Sequence, residues 1–386
     1  MNAHPRGLFG RPLLTVTIGV AALLGAGATG VALADRGKPG ESTWHAGAAA
    51  ADRPEKPLAK DDVKAISMSA TGDIIMGSAP GRLPARDGAG FFDSVADSLE
   101  ADLVMGNLEQ PLTSDTGTSK CGSPPRANCF AFRSPPAYAK HLKEAGFELL
   151  NTANNHSKDY GPQGYRNTVA ALEDAGLKHT GAEGEVTVVT VGGVKVGVVG
   201  FSPYAGANNL NDLDAARAVI ETAAKQADLV VVQVHMGAEG ADKTHVKPGS
   251  ELYFEENRGD PIKFSHAVVD AGADVVIGHG PHVLRGMEFY RGRLIAYSLG
   301  NFAGGGKTLS SDGPLKYGAI LHVSLTPDGT WAGGKVLSTA LDRAGVPTRD
   351  DENERGREMI AKLSAEDFGD TAATIGGDGS IKPPGE

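Results

Sequence analysis

Six short runs in this chain carry side chains able to hold a metal ion, and each follows an apolar stretch. Ser69-Ala70 leads into Thr71-Gly72-Asp73, and Leu103-Val104-Met105 leads into Gly106-Asn107-Leu108-Glu109. Leu150 is followed by Asn151-Thr152-Ala153-Asn154-Asn155-His156, and Val234 by His235-Met236-Gly237-Ala238-Glu239. Ile277 leads into Gly278-His279-Gly280-Pro281-His282, and Tyr297 into Ser298-Leu299-Gly300-Asn301-Phe302. Any one of these has an ordinary reading, because Gly-Asp and Asn runs form turns and caps and a lone His is usually structural. Turn chemistry does not place His or a carboxylate after the last apolar residue time after time. Imidazole with carboxylate suits Zn, Mn or Fe better than Ca. The ligands outnumber the needs of one tetrahedral ion, so one or two neighbouring divalent ions are expected.

Strands must deliver these groups, since loops at strand C-terminal ends build the sites of open α/β sheets. Ala65–Ala70, Leu103–Met105, Phe147–Leu150, Val194–Gly200, Leu229–His235, Asp274–Ile277 and Leu294–Ser298 are short β-branched or apolar runs that predict strands. Phe91–Glu100, Ser134–Ala145, Pro162–Ala175, Asp212–Ala227 and Pro261–Ala271 have helical spacing, several closed by the Ala-Gly pair that suits a C-terminal cap. Gly192-Gly193 and Arg291-Gly292 each predict a hairpin turn. Gly318–Leu325 and Trp331–Leu337 are strand-like with no helix between them. The pattern is α/β, and it fits a mixed pair of sheets covered by helices better than one doubly wound sheet.

The chain has 386 residues, a formal charge of −10 and 40% hydrophobic positions. This composition excludes disorder throughout, and the lack of clustered Lys and Arg argues against a nucleic-acid partner. One large domain is expected over 61–341. Arg6 and Arg11 precede the uncharged stretch Leu13–Leu33, and Ala32-Leu33-Ala34 fits a small-x-small cleavage pattern, so residues 1–34 are expected to be an export signal or an uncleaved membrane anchor over 13–33. Either would place the rest at the cell surface or outside the cell. Residues 35–60 have a linker composition, and 342–386 predict one charged helix within Asp350–Asp367 and then a disordered tail. The only cysteines, Cys121 and Cys129, share one Pro-containing loop and are expected to form a disulfide after export.

The order Gly72-Asp73, Gly106-Asn107-Leu108-Glu109, Asn154-Asn155-His156, His235-x-Gly237-x-Glu239, Gly278-His279-x-Pro281-His282 and Ser298–Phe302 resembles the CapA family. That family is associated with poly-γ-glutamate capsule biosynthesis and related to the calcineurin-like metallophosphoesterases. The resemblance implies a four-layer αββα fold, two mixed sheets between helices, with metal at the strand ends. Carried over residue by residue, Asp73, Asn155, His235, His279 and His282 look like metal ligands and His156 like the acid that assists the leaving group. Ile75 stands where the phosphoesterase pattern has its second ligand, and Asn107 where a bridging carboxylate is expected, with Glu109 as its substitute. Gly280 replaces a residue that is often His in relatives, and the connection between Glu239 and Pro261, with His245, Tyr253, Glu255, Glu256 and Arg258, is long enough for a substrate lid.

Such a site implies a metal-dependent hydrolase or acyl-transfer enzyme acting on an anionic envelope polymer, poly-γ-glutamate by resemblance, or on wall peptide, within reach of a membrane capsule-synthesis complex. A non-catalytic polymer-binding or assembly component and a phosphoesterase for a small substrate are the alternatives. Asn107, Asn154, Glu239 and Asn301 are expected to touch substrate or to orient ligands. Lys120, Arg126, Arg133, Arg285 and Lys307 are the cations available near the loops for a polyanion.

Overall fold

The computed structural model describes residues 64–114 and 117–386. The expected signal or anchor, and the linker, lie outside the described residues. Among the described residues no helix is long and apolar enough to cross a membrane.

Four strands, β1 (Ile66–Ile75), β2 (Leu103–Leu108), β3 (Leu149–Asn151) and β4 (Lys178–Thr180), run parallel side by side. The Gly192-Gly193 turn folds β5 (Thr187–Val191) onto β6 (Val194–Ser202), followed by β7 (Asn208–Asn209) and β8 (Leu229–His235). A small hairpin, β9 (Leu252–Tyr253) with β10 (Glu256–Asn257), precedes β11 (Val275–His279), and Arg291-Gly292 turns β12 (Met287–Tyr290) into β13 (Arg293–Ala296). Then come β14 (Asn301–Gly304), β15 (Tyr317–Leu325), β16 (Trp331–Leu341) and β17 (Pro347–Arg349). The first sheet runs β17-β16-β15-β1-β2-β3-β4 with β14 beside β1, and the second β12-β13-β11-β8-β6-β5 with β7 beside β6.

Strand alternation sends side chains to opposite faces, and both sheets are apolar on both. Met68, Ala70, Met105, Val196, Val198, Val231, Ile277 and Leu321 form the layer between the sheets. On the far side of the first sheet, Ile74, Val104 and Leu108 meet Leu142 of α1 (Ala139–Glu144) and Leu172 of α2 (Gly161–Asp174). On the far side of the second, Val230, Val232 and Val234 meet Ile220 of α3 (Leu213–Gln226) and Val268 of α4 (Pro261–Ala271). The result is the αββα layering.

Two segments depart from expectation. Phe91–Glu100 is a chain of turns with one short 3-10 piece, Ala96–Ser98. Its apolar residues Phe91, Phe92, Val95 and Leu99 are buried at helical spacing, but Gly88 and Gly90 take positive φ just before it and most of its bonds run back three residues, as from Val95 to Phe92. The expected disordered tail and the boundary at 341 are also corrected. Helix α5 (Arg355–Phe368) buries Ile360 against the inter-sheet core, and a terminal hairpin, β18 (Thr374–Ile375) with β19 (Ile381–Lys382), adds Ala373 and Ile381 to the same core. A few widely spaced apolar residues suffice, because the sheets leave one end of their shared core to be covered.

Candidate metal centre

Strand β1 changes neighbours near its end. Up to Thr71 it pairs antiparallel with β15, and from Asp73 it pairs parallel with β14. At the switch the chain passes so close to the Gly300 carbonyl that any Cβ at residue 72 would collide with it, so glycine is required before the aspartate. Asp73 is thereby buried at the junction of the two sheets. It accepts from Asn107 Nδ2 at 2.8 Å and from the Gly280 amide at 3.3 Å, and lies 3.1 Å from His282 Nδ1 and 3.8 Å from His279 Nδ1. Burial alone would raise its pKa, but the hydrogen bond and charge of His282, with His279 and His235 behind, hold it well below the carboxylate range.

Glu109 enters one residue beyond β2, its amide bonded to the Ile74 carbonyl. Its side chain is fully buried and neither carboxylate oxygen has a hydrogen-bond donor. Burial pushes its pKa well above the ordinary value against the pull of His282, whose Nε2 is 3.6 Å away. His235 and His279 are the last residues of the adjacent strands β8 and β11 and stand opposite one another in register. One ligand atom from each of Asp73, Glu109 and His235 lies within 4.8 Å of the others. His235 has no partner on either ring nitrogen, and burial drives its pKa down. His279 Nε2 meets Gln233 Oε1 at 3.2 Å, which leaves Nδ1 unpaired on the Asp73 side; burial lowers it to about 4. His282 takes a left-handed φ of 61° and shares Nδ1 between Asp73 and Asn301 Oδ1, the latter at 2.9 Å. Burial works against its charge, yet Glu109, Asp73 and Glu239 push it up to about 10. Asn155 Oδ1 is buried without a donor, while its Nδ2 reaches Glu239 Oε1 at 3.4 Å.

Buried acceptors without donors are costly and rare in native proteins. Here both oxygens of Glu109, Asn155 Oδ1, His279 Nδ1 and the His235 ring are orphaned within one cluster, an arrangement a divalent cation satisfies. The mixed nitrogen and oxygen donors fit Zn, Mn or Fe. The sequence-predicted ligands Asp73, Glu109, Asn155, His235, His279 and His282 thus come together in this pocket. Ile75 is fully buried and its side chain offers no ligand.

The second ring is more internal than expected. Asn107 donates to Asp73 and accepts from Asn151 Nδ2 at 2.9 Å and Asn154 Nδ2 at 3.1 Å. Asn154 also donates to the Leu108 carbonyl and accepts from the His156 amide. Both side chains are engaged in positioning their neighbours. Asn301 orients His282 and donates to the Leu315 carbonyl. Glu239 is held by Arg258 at 2.8 Å and lies 3.8 Å from His282.

His156 follows Asn155 in the chain, and its Nδ1 lies 2.8 Å from Asp159 Oδ2. The other Asp159 oxygen pairs with Lys120 at 2.7 Å, and the Phe132 amide donates to the same carboxylate. Burial lowers the His156 pKa against the opposing pull of Asp159. Sequence reasoning missed Asp159 and Gln233, although the His156-x-x-Asp159 spacing and a lone amide inside the apolar run of β8 were signals for them. Arg285 is corrected from a rim cation to a buried clamp: its guanidinium grips both oxygens of Glu251 at 2.9 and 2.8 Å. Cys121 and Cys129 are joined in a disulfide. A cleft of about 370 Å³ runs from Asn155, His156 and Glu239 outwards, between the disulfide loop and the β9–β10 hairpin.

These features define an αββα protein with a buried histidine and carboxylate cluster where strand ends of both sheets meet. Residues 67–305 match the family model described as bacterial capsule synthesis protein PGA_cap, and the chain belongs to that family. It is 32% identical over 274 residues to the PGA biosynthesis protein CapA of Bacillus subtilis, covering 65% of this chain and 66% of that one. It is also 32% identical over 269 residues to the capsule biosynthesis protein CapA of Bacillus anthracis, covering 64% and 61%. The chain thus spans a little under two thirds of the length of these relatives. Among solved structures, a 5′-nucleotidase precursor from Thermus thermophilus superposes with a TM-score of 0.41 at 15% identity, covering 78% of this chain and 59% of that one. A superposition this loose carries no argument, and the layering rests on the sheets themselves.

Proposed function

We propose that this protein is an exported, metal-dependent hydrolase or acyl-transfer enzyme that acts on an anionic envelope polymer, poly-γ-glutamate by its family, beside a membrane capsule-synthesis complex. The observation that carries this reading is the cluster of buried acceptors without donors, set beside a carboxylate-held histidine at the floor of an open cleft. Bound by Asp73, Glu109, Asn155, His235, His279 and His282, one or two divalent ions would supply Lewis acidity and activate water. Asn107, Gln233 and Asn301 fix the orientation of Asp73, His279 and His282. With Nδ1 engaged by Asp159, His156 gives or takes its proton at Nε2, and Asp159 stabilises the charged ring while the leaving amine departs. Arg258 and Lys120 neutralise Glu239 and Asp159, so that the cleft does not repel a carboxylate-bearing chain.

A polymer-binding role without turnover is the second reading, favoured by Ile75, which removes one ligand of the two-metal phosphoesterase pattern, and by Asn107, which stands where its bridging carboxylate is expected. The test is incubation of the metal-loaded protein with γ-linked polyglutamate, wall peptides and phosphoesters. Metal-dependent shortening or transfer of the polymer, lost in His156→Ala, is expected. Binding without turnover would establish the second reading, and phosphate release alone would make the protein a phosphoesterase.

A further inference from the structure

The outer half of the cleft has walls that the metal cluster does not need. One wall is the disulfide loop, where Arg126 and Phe130 are exposed; the other is the β9–β10 hairpin, with Tyr253 and Phe254. Phe130 is 62% exposed and Phe254 71%, large apolar areas to leave in water at one opening. The hairpin turns through Phe254 and Glu255 with φ of 44° and 69°, left-handed values that Asn-Gly adopts readily and a bulky aromatic does not. Arg285 gripping Glu251 and the Arg258 guanidinium 5.1 Å above the Tyr253 ring hold this tip in place. Strain accepted to present an exposed aromatic at a cleft mouth points to a use for it.

One cation at the mouth has no carboxylate of its own. Glu239 and Glu256 are both paired with Arg258, and Glu256 also accepts from the Tyr204 hydroxyl at 2.8 Å. Lys120 is paired with Asp159. The Arg126 guanidinium bonds only the Lys120 carbonyl and has no carboxylate partner among the described residues, so it is the lining cation left to meet an anion.

We propose that this mouth is a chain-binding subsite, in which Arg126 pairs with a carboxylate of the polymer while Phe130 and Phe254 pack on its methylene segments, and that these three residues select a polymer over its monomer. The subsite rests on the polymer reading above and extends it to a ligand class: an extended chain that alternates carboxylates with apolar spacers. A γ-linked polyglutamate has its methylenes in the main chain, where flat aromatic rings reach them, and one carboxylate per unit.

Equilibrium binding to the metal-loaded chain tests this without turnover. The probes are a γ-linked glutamate decamer, free glutamate and an uncharged glucan oligosaccharide. The unsubstituted protein should bind the decamer far more tightly than glutamate, and the Phe130→Ser/Phe254→Ser variant should lose about tenfold in decamer affinity. Arg126→Gln should lose several-fold and flatten the salt dependence. Glutamate binding and metal content should not change in either variant, since all three side chains are exposed and outside the cluster. Decamer binding that all variants retain would overturn the subsite and leave the polymer reading standing. No decamer binding by the unsubstituted protein, or binding of the glucan instead, would overturn both.

Discussion

At the residue scale the centre is defined by what its atoms lack. Glu109 is the clearest case, since a buried carboxylate with no donor on either oxygen would be expelled or neutralised unless a cation were meant to meet it. Gln233 does the quieter work of fixing which nitrogen of His279 is free. Gln233→Leu should keep the fold but weaken metal affinity by about 10- to 100-fold, the usual effect of removing such a partner, as read by competition with a chelator. At Gly280, with φ of 107°, an added Cβ would stand 2.9 Å from His235 Nε2. Gly280→Ala should therefore lose metal as well as stability, and a variant with full metal content would show that His235 is not a ligand. The placement of the candidate ligands was legible in the sequence because each follows a run of strand-forming residues, and the end of such a run marks a sheet edge. Gln233 was harder to read, because its partner His279 lies 46 residues away and is met only after folding, whereas Asp159 was signalled by its spacing from His156.

At the element scale the disulfide loop deserves its own test. Lys120 and Phe132, just outside the two cysteines, both hold Asp159, and the Phe132 ring lies 4.7 Å from that of His156. The loop therefore clamps the His156–Asp159 pair from both of its ends. Replacing Cys121 and Cys129 with Ser should cost about 2–3 kcal/mol from the closed loop of this length, seen as a lower Tm. It should also reduce kcat more than it changes metal content; an unchanged kcat would mean that the loop does not hold His156. The two-residue hairpins at Gly192-Gly193 and Arg291-Gly292 were readable from turn chemistry alone. Phe91–Glu100 was not, since burial spacing mimicked a helix while the glycines before it set a different backbone.

At the scale of the whole molecule, the C-terminal residues close the inter-sheet core. Burying each Ile or Leu is worth about 1.5–3 kcal/mol, against a total stability of about 5–15 kcal/mol. A chain ending at Leu341 should accordingly be unfolded or aggregated, and a cooperative thermal transition in that fragment would show that α5 and the last hairpin are dispensable. Composition hid this role, because a polar helix with few apolar residues resembles a free one until its neighbours are known.

The same region carries a pH dependence. Glu288 accepts from His266, the Tyr297 hydroxyl and the Thr371 hydroxyl, each at 2.7 Å. Burial would raise its pKa, but those hydrogen bonds outweigh burial and hold it below the ordinary value. A carboxyl with a depressed folded pKa stabilises the fold above its unfolded pKa and loses that contribution as the pH falls through the folded value. Thermal stability should decline on acidification below about pH 4.5, and Glu288→Gln should flatten the decline. An equal decline in that variant would move the effect to other carboxyls.

The central claim, that strand ends of two sheets assemble a metal centre, is tested most directly by elemental analysis of the whole chain purified without chelator or His tag. The unsubstituted protein is compared with a variant carrying both His235→Ala and His282→Ala. About one to two equivalents of Mn, Zn or Fe, lost in the variant while its circular dichroism is unchanged, is the expected result. Equal metal in both proteins, or none in either after reconstitution, would contradict it.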